Sequence, residues 1–191
     1  MTSITVGDPA TFAIESGIAK AFEKPSQRAI GYFVIYVMGR CYGVKSLDAT
    51  LLACSVDAVQ ERLERRRLHL GPFSAEPDPI KIVDAYLAAR LQLGRESEMF
   101  FGMTATTLGD LFISSGLVWA PDGDEAFDDG SHVLQLDVRD KVRLIAFINS
   151  SNFAEVISTI SEVWIDSDDY YDHLAEWLKR FEHERAILLR E

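Results

Sequence analysis

The stretch "HVLQLDVRDKVRLIAFI", residues 132–148, constrains the fold more than any other part of the chain. From His132 to Val138 the residues alternate, with Leu134, Leu136 and Val138 on one side and Val133, Gln135 and Asp137 on the other. Side chains on a strand point alternately to its two faces, so this period of two reads as a strand. Arg139 and Asp140 mark a turn, and Val142, Leu144, Ala146 and Ile148 line one face of the returning strand. The expectation is an antiparallel hairpin with one buried face.

The rest of the chain supplies strands and helices around it. "ITVGDPATFAIESGI" joins strand formers through a Gly-Asp-Pro turn, and "AIGYFVIYVMGRCYGV" is rich in β-branched and aromatic residues with a turn at Met38-Gly39-Arg40. "DATLLACS" reads as a further short strand. Ser55 then reads as an N-cap, with Asp57 in the first turn and Val56, Val59 and Leu63 on one face, for a helix from about Val56 to Leu68. The proline-rich "LGPFSAEPDP" is a loop between elements, and Asp78 caps a helix with Pro79 at its first position and Gly94 as its stop. Residues 98–119 read as extended, with an ambiguous pattern. "SNFAEVISTI" suggests a short helix. The last helix starts at Asp166 or Ser167, with Asp168 and Asp169 at the positive end of its dipole and Tyr170, Leu174, Trp177, Leu178 and Phe181 as an apolar stripe, read as core rather than as a dimer face. Strands interleaved with helices make the class α+β: a mostly antiparallel sheet with hairpins, packed by several helices including an amphipathic C-terminal one. Residues 1–191 are read as a single domain.

Charge is the other informative feature. The formal net charge is −11, and it is unevenly spread: residues 1–95 carry 12 basic and 10 acidic side chains, residues 96–191 carry 7 and 20. Two runs hold most of the excess. "PDGDEAFDDG" contains Asp122, Asp124, Glu125, Asp128 and Asp129; the second comprises Glu162, Asp166, Asp168, Asp169, Asp172 and Glu176. No Lys or Arg occurs between Glu96 and Val138, which excludes nucleic acid as a direct ligand, since phosphate binding needs clustered cations. The one basic cluster, Arg62, Arg65, Arg66 and Arg67, alternates with Glu61 and Glu64 and reads as an ion-paired helix face.

Chemical motifs are missing. Calcium-loop registers starting at Asp122, Asp124 and Asp166 fail at Ala126 or Tyr170. His69, His132, His173 and His183 show no metal-ligand spacing, and His132 and His173 read as surface or half-buried structural residues. Ser114-Ser115-Gly116 lacks the first glycine of a nucleophile elbow, and no phosphate-binding glycine loop is present. Cys41 and Cys54 lie in apolar surroundings and read as buried thiols of a reducing compartment. Neither a secretory leader nor a membrane span is indicated. A cytoplasmic protein with no catalytic residues, cofactor or metal is expected.

Three segments, "VGDPATFAIE", "GYFVIYVMGRCYG" and "PDGDEAFDDGSHVLQLDVRDKVRLIAF", resemble the immunity protein 42 family of bacterial polymorphic toxin systems. The resemblance implies a protein that binds a cognate toxin domain and blocks it stoichiometrically. Charge, rather than the resemblance, assigns the docking residues: Asp122, Asp124, Glu125, Asp128 and Asp129, together with Asp166, Asp169, Asp172 and Glu176, laid against a basic toxin surface. Two rival classes remain at this point: a hydrolase-like enzyme, which requires a pocket with converging His and carboxylates, and a stand-alone regulatory or scaffold module.

Overall fold

The computed structural model describes residues 2–91, 94–120 and 125–190. Strands β1 (Thr2–Asp8) and β2 (Phe12–Ala21) form the first hairpin, and β3 (Ala29–Val37) and β4 (Arg40–Tyr42) the second. Val37 pairs with Arg40, which leaves Met38 and Gly39 as a two-residue loop. Both have positive φ (52° and 81°), the geometry whose twist matches that of the flanking strands. Strand β5 (Thr50–Leu51) adds to β3, completing an antiparallel sheet of five strands.

Helix α1 (Ala53–Glu64) begins immediately, earlier than its sequence pattern suggested. Leu52 is its N-cap without a side-chain bond, and Ser55 is buried within the first turn rather than capping it. Helix α2 (Pro79–Arg90) starts as expected, the Asp78 carboxylate accepting from the Ile80 amide at 3.0 Å. The stretch at 98–119 is extended only in part: a small ribbon, β6 (Met99–Phe100) and β7 (Met103–Thr104), and strand β8 (Val118–Ala120) flank helix α3 (Ala105–Ser114), which the extended reading missed. Then come β9 (Ser131–Val138), β10 (Lys141–Ile148), helix α4 (Phe153–Thr159), β11 (Ser161–Asp166) and the 22-residue helix α5 (Ser167–Leu188). The second sheet is antiparallel in the order β11-β10-β9-β8. The class is α+β, with a C-terminal amphipathic helix whose Tyr170, Leu174, Trp177 and Phe181 are buried.

The central hairpin departs from expectation in one respect: both of its faces are buried. Val138 pairs with Lys141, so Asp137 stands opposite Val142 and Leu136 opposite Arg143. This register puts the two apolar rows on opposite sides of the sheet. Val133, Val142, Leu144 and Ala146 enter one core with the inner face of the five-stranded sheet, α1 and α5. Leu134, Leu136, Ile145 and Phe147 enter a second core beneath α2 and α3. The four-stranded sheet is therefore a middle layer. Arg143, on its second face, is fully buried and donates to the Ser74 and Glu76 carbonyls of the 70–79 loop. His132 is buried as well, against Phe147 and the Tyr86 hydroxyl at 3.2 Å, rather than at the surface. The cysteines also differ from expectation: Cys41 is half-buried and Cys54 exposed.

Candidate functional site

The described residues of the two acidic runs lie toward different ends of strand β9. The first leads into Ser131, where β9 begins; the second opens α5, whose Ser167 amide donates to Asp140 O in the turn beyond the end of β9. At about 3.3 Å per residue, Ser131 and Asp140 are separated by roughly 25 Å of strand. The structure thus does not bring the runs together into one face.

In the first run, Asp122 and Asp124 lie outside the described residues. Glu125 starts a 3-10 turn, Glu125–Phe127, in which Glu125 is exposed while Ala126 and Phe127 are buried. Phe127 meets Phe33 edge-on at 6.4 Å, and Ala126 O accepts from the Val44 amide at 2.8 Å. The turn is riveted to the five-stranded sheet and its acids face outward. Asp128 and Asp129 are exposed, and the Asp129 carboxylate also accepts from the Ser131 amide at 3.0 Å. None of Glu125, Asp128 and Asp129 forms an ion pair among the described residues.

The second run is largely neutralised. The Asp166 carboxylate caps α5 through the Asp168 amide and pairs with Lys141 at 3.4 Å; donation from that amide holds it below the usual carboxylate range. Asp168 pairs with Arg66 and with Arg67, the latter at 2.9 Å. Glu162 pairs with Arg143, and Glu176 with Arg180 at 2.7 Å, which lowers the Glu176 carboxyl. Asp169 and Asp172 are exposed and have no ion pair among the described residues.

The basic cluster also divides. Arg65 pairs with Glu61 along α1, as the spacing implies, but Arg66 and Arg67 lie beyond the helix end and reach α5. Arg62 is not on an exposed face at all: it is 5% exposed. Its guanidinium donates to Gly116 O (3.2 Å), Val118 O (2.7 Å) and Gln135 Oε1 (3.1 Å) and stacks on Trp119 at 4.7 Å. Burial pulls its pKa down to about 10, which leaves it a cation at neutral pH.

Arg62 belongs to a buried polar network that the alternation on β9 conceals. Gln135 and Asp137 share the inward face with Val133 and point at α1 and α5. Tyr170 donates to Gln135 Oε1 at 2.7 Å, and Gln135 Nε2 donates to the Tyr171 hydroxyl at 3.0 Å. Tyr171 in turn donates to Asp137 at 3.2 Å. Asp137 Oδ2 accepts from the His69 amide at 3.0 Å and lies 3.1 Å from His69 Nδ1. Burial pushes the Tyr171 phenol up to about 12, so it stays a neutral donor. This His and carboxylate converge beside a cleft of about 400 Å³, lined in part by Arg62, His69 and Trp119. Their partners are one another. No serine, threonine or cysteine side chain hydrogen-bonds His69 among the described residues; its contacts are to Asp137, Gln135 and Tyr171, which brace a core. No group of three or more potential metal ligands occurs among the described residues, and no helix there is long and apolar enough to cross a membrane.

The immunity protein 42 profile matches residues 1–180. The chain belongs to the immunity protein 42 family. It is accordingly an immunity protein, one that neutralises a toxin. Its fold is similar to that of a solved structure, the CdiI protein from Burkholderia dolosa AUO158, with a TM-score of 0.58 and 16% identity over 93% of this chain and 99% of that one. At that identity the likeness bears on the fold alone. None of the curated proteins matches the sequence.

Proposed function

We propose that this immunity protein works as a stoichiometric, non-catalytic inhibitor, a single domain spanning residues 1–191 that acts in the cytoplasm. Its toxin partner presents a basic surface. The docking residues are Asp122, Asp124, Glu125, Asp128 and Asp129 at one end, with Asp166, Asp169, Asp172 and Glu176 forming a second acidic surface at the other. The first end dominates, because Glu125, Asp128 and Asp129 have no ion pair among the described residues, whereas Asp166 and Glu176, two of the four in the second set, already hold cations.

One observation carries this reading: Glu125, Asp128 and Asp129 stand exposed, without ion pairs among the described residues, on a turn whose neighbouring Ala126 and Phe127 are buried. Concentrated like charge repels itself, and the fixed turn prevents the loop from relaxing away from that repulsion. A basic partner relieves it and is steered in during encounter. The same charge disfavours nucleic acid as a ligand. An enzymatic role would need a reactive group at the His69–Asp137 pair, and those side chains are occupied in tying the segment after α1 to β9 and α5.

The test is a titration of toxin activity at fixed toxin concentration. Stoichiometric inhibition gives a linear fall that ends at one equivalent. Inhibition at strongly substoichiometric levels, with chemically altered toxin recovered from the mixture, would overturn the proposal.

A further inference from the structure

Arg62 is a buried cation whose hydrogen-bond partners are all neutral: two backbone carbonyls and the Gln135 amide oxygen. No carboxylate forms an ion pair with it among the described residues, whereas Arg143, the other deeply buried arginine, has Glu162. Glu61 and Asp137 act on Arg62 only at longer range, and a buried guanidinium with no carboxylate in direct contact is costly to hold. The Arg62 Nε and the Trp119 Nε1 are, in addition, buried N–H groups with no acceptor among the described residues. Such orphaned donors are rare in native structures and call for an explanation. These two belong to stacked side chains that line the same cleft.

The cleft lies between α1 and β8. Ala58 and Val118 supply apolar wall, and Cys54, His69 and Gly116 line it beside the Arg62–Trp119 stack. Two acids on the rim, Asp57 and Glu61, are engaged by Arg28 at 3.5 Å and Arg65 at 3.2 Å. A space of about 400 Å³ suits a side-chain-sized group.

We propose that this cleft is a carboxylate-binding site, taking a carboxylate on a short apolar stem, with Arg62 as its counter-charge and the Trp119 indole N–H as a hydrogen-bond donor. The stem lies against Ala58 and Val118. The indole nitrogen is covered in this conformation, so a small rotation of the Trp119 ring accompanies binding. The same chemistry serves an acidic side chain of the toxin and a free small carboxylate. The site is independent of the acidic loop and stands whether or not that loop docks.

Cys54 is exposed and lines the cleft, which makes its thiol a reporter. In a Cys41→Ser background, the rate of Cys54 modification by a neutral thiol reagent is followed while propionate is titrated at constant ionic strength. Propionate slows the reaction saturably; propionamide, which has the same shape without the charge, does not. Trp119→Phe keeps an aromatic face for Arg62 but lacks the N–H, and weakens propionate about tenfold, the loss of one hydrogen bond to a charged group. Arg62→Gln abolishes protection; because Arg62 also braces the fold, Trp119→Phe carries the test if that variant does not fold. Protection of Cys54 by the toxin domain, relieved by propionate, identifies a toxin side chain as the natural occupant. Propionate protection with Cys54 still reactive in the toxin complex identifies a free carboxylate instead. No protection by propionate, equal protection by propionamide, or equal affinity in Trp119→Phe each overturns the proposal.

Discussion

Replacing Asp137 by alanine removes the acceptor on which the buried network converges. Its carboxylate receives the His69 amide at 3.0 Å and the Tyr171 hydroxyl at 3.2 Å, and contacts His69 Nδ1 at 3.1 Å. After the change, the His69 amide has no partner and Tyr171 loses its acceptor, although it still receives bonds from the Arg67 amide and Gln135. A buried group left unsatisfied costs about 1–3 kcal/mol, and dismantling a buried charged network about 3–5 kcal/mol. The expected loss is therefore about 4 kcal/mol, a fall in melting temperature of about 8–16 °C for a chain of this size. Asp137→Asn keeps one acceptor oxygen and should lose roughly half as much. Asp172→Ala, exposed on α5, serves as control and should move stability by under about 0.5 kcal/mol. Urea denaturation followed by far-UV circular dichroism measures all three. If Asp137→Ala costs less than about 1 kcal/mol, the network is not a structural brace, and the His69–Asp137 pair must be reconsidered as a site kept for chemistry.

Two further outcomes follow from the five-stranded sheet. Burial pushes the Glu15 carboxyl up, but bonds from Lys45, Tyr32 and Tyr36 outweigh it and leave the pKa below the ordinary 4.5. A depressed carboxylate contributes stability above its unfolded pKa and loses it as pH falls through the folded one. Lys45→Met should therefore destabilise the protein at neutral pH, with the difference from wild type shrinking as pH drops below about 4.5, as read from denaturation midpoints at several pH values. Gly31→Ala should destabilise by about 3 kcal/mol or more, because a Cβ at Gly31 would stand 1.9 Å from Gly17 O on the neighbouring strand, and backbone cannot step aside as a side chain can; thermal unfolding checks it.

Much of the scaffold was legible because local signals agreed with the final packing. The β9–β10 turn, the Met38–Gly39 loop and the Asp78–Pro79 start of α2 each sit where their residues require. Helix α3 was not legible in the extended-looking 98–119 stretch, and it carries Gly109 in its middle. In the structure a Cβ there would meet Ala89 O at 2.9 Å, so the glycine permits α2 and α3 to pack closely. The second buried face of the hairpin was hidden by Gln135 and Asp137, polar residues that alternation assigns to solvent. Their partners, Arg62, His69, Tyr170 and Tyr171, come from distant parts of the chain, and no local pattern connects them. Arg62 was misassigned for a similar reason: its neighbours at 65–67 are surface residues, and only the tertiary fold turns one arginine of the four inward. A polar pair inside an otherwise apolar strand was the available clue. The acidic runs were visible as composition, but their separation and the neutralisation of the second depend on where Lys141, Arg66, Arg67 and Arg180 come to lie.

The central claim is that the Asp122–Asp129 end steers the toxin into place. Stopped-flow association of the toxin domain, over a range of ionic strength, compares wild type with a variant carrying Asp122→Asn, Asp124→Asn, Glu125→Gln, Asp128→Asn and Asp129→Asn. Asparagine at 129 preserves an acceptor for the Ser131 amide, so the fold is retained. Wild-type association should be about tenfold or more faster at low salt and converge on the variant as screening increases, with melting temperatures nearly equal. Equal rates at low salt would contradict the account and leave this run as a solvated loop.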